Sequence, residues 1–124
     1  MATILIVEDS QTERQVLRKM LEKGGHLVIA ATDGVEGKAM ARQNNPDLIL
    51  MDVVMPGMNG FQATRKLTRD PDTADIPIIM ITSRTGDKHR DRALELGVKR
   101  YLGKPYQEAD LLENIYTVLA DSAL

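Results

Sequence analysis

Five short apolar runs recur along the chain: Ile4 to Val7, Leu27 to Ala30, Leu48 to Met51, Ile78 to Ile81 and Val98 to Leu102. They are aliphatic or β-branched and lack polar alternation, the pattern of strands covered on both faces. Segments of helical period separate them. The first opens Ser10-Gln11-Thr12-Glu13, where a hydroxyl and a carboxylate three residues apart can satisfy orphan amides at a helix start. Val16, Leu17, Met20 and Leu21 then share one face, and Gly24 supplies a left-handed stop. A second helix starts at Asp33, turns Val35, Ala39 and Met40 inward and ends before Asn45-Pro46. A third starts near Asn59 with Phe61, Thr64 and Leu67 on one face, and dissolves into the turn-rich Asp70-Pro71-Asp72-Thr73. The fourth, Asp87 to Leu96, has a wholly polar first half, so only Ala93, Leu94 and Leu96 can anchor it. The fifth carries a broad stripe of Leu111, Leu112, Ile115, Val118 and Leu119, with Glu108 and Asp110 at its positive N-terminal end. Strand followed by helix, five times over, predicts an α/β domain with a parallel sheet and right-handed crossovers.

Composition narrows what such a domain does. A length of 124 residues predicts one domain over 1–124, and 43% apolar with 27% charged residues is enough to build a core, unlike a disordered tail. The formal net charge of −2 is not the footprint of a nucleic-acid binder. Cysteine is absent, which removes disulfides, thiolate metal sites and thiol nucleophiles. The aromatics are Phe61, Tyr101, Tyr106 and Tyr116, too few for base-stacking or sugar-stacking platforms. Met1 runs into an apolar strand and two acids, with no basic leader, and no apolar run approaches the ~20 residues of a membrane span, so the expected location is the cytoplasm.

In an open parallel sheet, ligands bind at the carboxyl ends of the strands. Glu8 and Asp9 follow the first run, Asp52 the third, Thr82 and Ser83 the fourth, and Gly103-Lys104-Pro105 the fifth. Crowded carboxylates repel one another unless a hard divalent cation joins them, and Mg²⁺ is the natural candidate. A hydroxyl and a lysine aimed at the same crevice suit an anion such as a phosphoryl group.

These stretches, with Asp52 continuing into Val53-Val54-Met55-Pro56-Gly57-Met58-Asn59-Gly60, resemble the response-regulator receiver domain of two-component signalling over nearly the whole chain. The resemblance implies a flavodoxin-like, doubly wound (βα)5 sandwich with strand order 2-1-3-4-5. It implies that Asp52 accepts a phosphoryl group from a histidine kinase or a histidine phosphotransfer domain. Asp9, Asp52, the Val54 main-chain carbonyl and Glu8, directly or through water, would hold Mg²⁺. Thr82 would contact a phosphoryl oxygen, Lys104 would pair with its charge, Tyr101 would be the aromatic switch, and Lys104-Pro105 would be a cis peptide. The output surface would be the fourth helix, fifth strand and fifth helix of a monomer that meets a downstream protein and neither nucleic acid nor membrane.

Finer likeness divides. Asp52 to Leu67 is similar to single-domain regulators of type IV pilus twitching motility, of the PilH and PilG type, and Thr82 to Glu108 to receivers of hybrid chemotaxis-type kinases. A stand-alone receiver without enzymatic turnover is the expected function. A phosphate sink and a receiver excised from a hybrid kinase are its variants. A Mg²⁺-dependent phosphatase and a flavodoxin-like electron carrier are the rivals from other classes. In the family it resembles, side chains two residues beyond the phosphoacceptor and the hydroxyl residue influence how fast the acyl phosphate hydrolyses; here these are Val54 and Arg84, and because an apolar Val54 cannot orient water the resemblance implies slow self-dephosphorylation.

Overall fold

The computed structural model describes residues 1–123. Strands β1 (Thr3–Val7), β2 (Leu27–Ala31), β3 (Leu48–Met51), β4 (Ile78–Thr82) and β5 (Arg100–Gly103) alternate with helices α1 (Gln11–Lys23), α2 (Gly34–Asn44), α3 (Gly60–Arg69), α4 (Asp87–Glu95) and α5 (Glu108–Ser122). All strand pairs are parallel, in the order β2-β1-β3-β4-β5. This is the flavodoxin-like arrangement expected, and its order reverses between β1 and β3, the crevice where ligands of such sheets bind. The register places Val7 beside Met51, so Glu8 and Asp52 leave the sheet side by side; Thr82 pairs with Gly103, which brings Lys104 to the same edge.

Alternate strand residues feed two cores. Ile4, Ile6, Leu48, Leu50, Ile79 and Ile81 meet Leu17 and Leu21 of α1 and Leu111, Ile115 and Val118 of α5. Leu5, Val7, Ile49, Met51, Ile78 and Met80 meet α2, α3 and α4. Each large aliphatic side chain so buried contributes roughly 1.5–3 kcal/mol. No helix among the described residues is long and apolar enough to cross a membrane.

Several sequence expectations are corrected in detail. Only the three central strands are covered on both faces: β2 and β5, at the edges, are largely half-exposed. Ladder pairing of β5 begins at Arg100, because Val98 is spent on the turn that closes α4, its amide donating to the Ala93 carbonyl at 3.1 Å. The left-handed residue after α1 is Gly25, at φ +88°, while Gly24 is at φ −79°. Val16 is 52% exposed, since α1 meets the sheet through a narrow i, i+4 stripe of Leu17 and Leu21. On α2 the buried residues are Gly34, Gly37 and Ala41, and Val35 and Ala39 face outward. Small residues set that face because α2 lies against Val7, where a Cβ on Gly37 would come within 2.9 Å of Val7 Cγ2.

Candidate functional site

The β1–α1 turn is built so that Glu8 points inward. Arg14 on the first turns of α1 donates to the carbonyls of Glu8 and Asp9 at 2.7 and 2.9 Å, fixing the strand exit. The Ser10 hydroxyl caps α1 by accepting from the Glu13 amide, but the Ser10 amide goes to Glu8 Oε2 at 3.1 Å and not to Glu13. Only half of the expected capping box forms, and the Glu13 carboxylate is released for other work. Glu8 is 3% exposed and Asp52 8%. Carboxylate oxygens of Glu8, Glu13 and Asp52 all lie within 4.8 Å of one another.

Asp52 is positioned by backbone. Its amide donates to the Val7 carbonyl at 3.0 Å, and its Oδ1 accepts from the Val54 amide at 3.2 Å. α3 starts directly above it, capped reciprocally by Asn59 and Gln62, and the Gly60 amide donates to the Val53 carbonyl at 2.9 Å. A Cβ at Gly60 would sit 2.3 Å from the Asp52 carbonyl oxygen, so only glycine allows this approach. The Val54 carbonyl receives no hydrogen bond among the described residues, and the Val54 side chain is 45% exposed.

Lys104 joins the acids. Its amide donates to the Thr82 carbonyl at 2.8 Å, and the Lys104-Pro105 bond is cis. Its Nζ lies 2.9 Å from Glu13 Oε2, 3.1 Å from Glu8 Oε1 and 3.5 Å from Asp52 Oδ2. Beneath this cluster is a cavity of about 140 Å³ with walls that include Leu17, Leu50, Ile81 and Tyr106. Burial raises the Glu8 carboxyl to about 8, with the neighbouring Glu13, Asp9 and Asp52 adding to the rise and the Ser10 amide opposing it. Burial works against the Lys104 charge too, yet Glu13, Glu8 and Asp52 together hold it protonated well above the usual lysine range. Glu13, beside Glu8 and bonded to Lys104, titrates below the usual carboxylate range.

The other wall belongs to Thr82 and Tyr101. The buried Thr82 Oγ1 accepts from the Arg84 amide at 3.1 Å, and the Tyr101 hydroxyl donates to the Arg84 carbonyl. One residue of the β4–α4 loop therefore links both. Arg84 itself is exposed.

The structure thus brings Glu8, Asp52 and Lys104 together at one sheet edge, with Thr82 on the neighbouring strand. Asp9 is exposed and stands outside the group of three converging carboxylates, near enough to Glu8 to raise it. Glu13 is the residue that sequence reasoning assigned to capping alone. The signal for its second role was its place on the first turn of the helix that starts just after Glu8-Asp9, within reach of the same crevice.

A family model described as the response regulator receiver domain matches residues 4–116. The chain is 51% identical over 120 residues to protein PilH of Pseudomonas aeruginosa, covering 97% of this chain and 99% of that protein. Several other relatives are longer, and the chain spans between 25% and 52% of their length. Among solved structures, the chemotaxis protein CheY4 of Vibrio cholerae is 32% identical with a TM-score of 0.89, over 95% of this chain and 98% of that one. The receiver domain of the sensor histidine kinase PA1611 of P. aeruginosa, solved with a magnesium ion coordinated in its active-site cleft, is 30% identical with a TM-score of 0.88, over 96% and 98%.

Proposed function

The chain belongs to the response-regulator receiver family, and from that membership we propose that it is a stand-alone cytoplasmic phosphorylation switch with Asp52 as the phosphoacceptor. The observation that carries this reading is the setting of Asp52: nearly buried at the carboxyl end of β3, with the Lys104 ammonium 3.5 Å away and a second acid, Glu8, beside it just past the end of β1.

The donor set fits Mg²⁺. Glu8 and Asp52 are hard oxygen ligands at the end of adjacent strands, and burial makes the Glu8 carboxylate costly to ionise, a cost that a divalent cation relieves. Glu8, Asp9, Asp52 and the unengaged Val54 carbonyl are the residues that would hold it. When bound, the ion neutralises phosphoryl oxygens so that an anionic nucleophile can approach. The rest falls to the protein. An Asp52 carboxylate oxygen attacks phosphorus, the phosphorus–nitrogen bond of a phosphohistidine on the partner breaks, and the imidazole departs. Lys104 pairs with the arriving charge. The Thr82 hydroxyl accepts from the Arg84 amide, which leaves its own proton to donate to a phosphoryl oxygen. As Thr82 turns toward Asp52 it lets go of the Arg84 amide, and the loop that anchors Tyr101 is released with it. The surface of α4, β5 and α5 then changes for a downstream protein. The product stays on the chain as an acyl phosphate, so the domain is a switch and not an enzyme that turns over small phosphoesters. The likeness to PilH favours a type IV pilus or chemotaxis-like pathway.

Intact-protein mass after incubation with acetyl phosphate tests this directly. The wild type is expected to gain one phosphoryl adduct that requires Mg²⁺, and Asp52→Asn to gain none. An adduct that persists in Asp52→Asn would refute the assignment. The absence of tryptophan makes mass the appropriate readout.

A further inference from the structure

Lys104 touches one more carboxylate than the proposed phosphoryl chemistry uses. Its contacts run from Glu13 at 2.9 Å through Glu8 at 3.1 Å to Asp52 at 3.5 Å. Two of these, Glu8 and Asp52, are the acids that a divalent cation needs. The ammonium therefore lies where it competes with such a cation, and two cations on the same pair of carboxylates repel strongly. Glu13 differs from the other two. It sits on α1, its side chain is 46% exposed, and its carboxylate is not engaged in capping because Glu8 has taken the Ser10 amide. Lys104, for its part, is pinned by its backbone to Thr82, so its ammonium can pivot without leaving the crevice.

We propose that Glu13 is a positioning residue: the seat onto which the Lys104 ammonium withdraws when a divalent cation takes up Glu8 and Asp52. The proposal rests on the receiver reading above and adds to it a residue outside the expected set. An ion pair with half-exposed Glu13 keeps part of its hydration, whereas one with Glu8 does not, so the move costs Lys104 little. Glu13 also keeps the lysine within reach of Asp52, where it meets the incoming phosphoryl group. Without Glu13, the lysine's remaining carboxylate partners are the two that the cation requires.

Calorimetric titration of the full chain with MgCl₂ tests this through a double-mutant cycle of wild type, Glu13→Gln, Lys104→Ala and the double variant. If Glu13 acts through the lysine, Glu13→Gln raises the Mg²⁺ dissociation constant roughly fivefold to tenfold beside Lys104 and less than about twofold beside Lys104→Ala. An equal rise in both backgrounds would make Glu13 a ligand or a remote charge and overturn the proposal, as would no change beside Lys104. Glu13→Asp, which keeps the charge on a shorter arm, is expected to restore part of the affinity. A wild type that shows no Mg²⁺ binding at all would instead overturn the metal reading on which the proposal stands.

Discussion

On the side of α1 and α5 the site rests on a deep core: Leu17, Leu21, Leu111, Ile115 and Val118 are buried against the sheet, and Lys104 is tied to three carboxylates. On the side of α4 a single residue, Ala93, is buried in the helix, Leu94 is 44% exposed, and Gly86 at the helix start offers no side-chain cap. In the proposed switch, the groups that would bind charge stand on the firm side and the groups that would report it stand on the loose one. A segment with few buried apolar contacts opens locally at low free energy, which a switch surface needs and a phosphoryl site does not.

The largest effect expected from this contrast is on stability. Ile115→Ala removes a side chain 1% exposed and should cost about 2–5 kcal/mol, seen as a clear fall in the denaturant midpoint. Leu94→Ala on α4 should cost less than about 0.5 kcal/mol. Similar losses at the two positions would mean that α4 is as firmly held as α5.

A second, smaller effect sharpens the picture of the firm side. The folded protein holds Glu8 at about 8 against an ordinary 4.5, so between these values the native state keeps a proton that the unfolded chain has released. Stability of the metal-free protein should therefore be full below about pH 4.5, fall as the pH rises toward 8, and level off above it. His26, which burial lowers from its ordinary 6.5, acts with the opposite sign on the acid side of that value. The Glu8 contribution is accordingly read as the difference between wild type and Glu8→Gln in thermal unfolding from pH 5 to 8 with a chelator present. A slope that survives in Glu8→Gln would assign it elsewhere.

The same contrast explains what could be read from the sequence. Runs such as Leu48 to Met51 and Ile78 to Ile81 announce buried strands because nothing polar interrupts them, and the ends of the apolar runs point to Glu8, Asp52, Thr82 and Lys104. The inward face of α2 was misread because hydrophobicity favours Val35, while the backbone's approach to Val7 demands Gly37. Glu13 was hidden for a related reason. A carboxylate three residues after an N-cap serine has a sufficient local use; here Glu8, two residues before the serine, takes the Ser10 amide, and Lys104 from the far end of the chain takes the Glu13 carboxylate. The inward face of α2 and the second role of Glu13 are each decided by a partner from another element, Val7 in one case and Lys104 in the other.

The smallest effect concerns the loose side alone. Tyr101→Phe keeps the ring, which packs against the core beneath α4, and deletes the hydroxyl that donates to the Arg84 carbonyl. One such hydrogen bond contributes about 1 kcal/mol or less, so global stability should barely change. The consequence should instead be local, since Arg84 is also the residue whose amide holds the Thr82 hydroxyl. Amide hydrogen exchange is expected to quicken from Arg84 through the first turn of α4 and to stay as it was in α1 and α5. Unchanged exchange around Arg84 would show that the loop is held by other contacts and that Tyr101 does not restrain it. Faster exchange confined to that loop would place the tether between the phosphoacceptor wall and the output surface on one backbone residue, with Thr82 pulling at its amide and Tyr101 at its carbonyl.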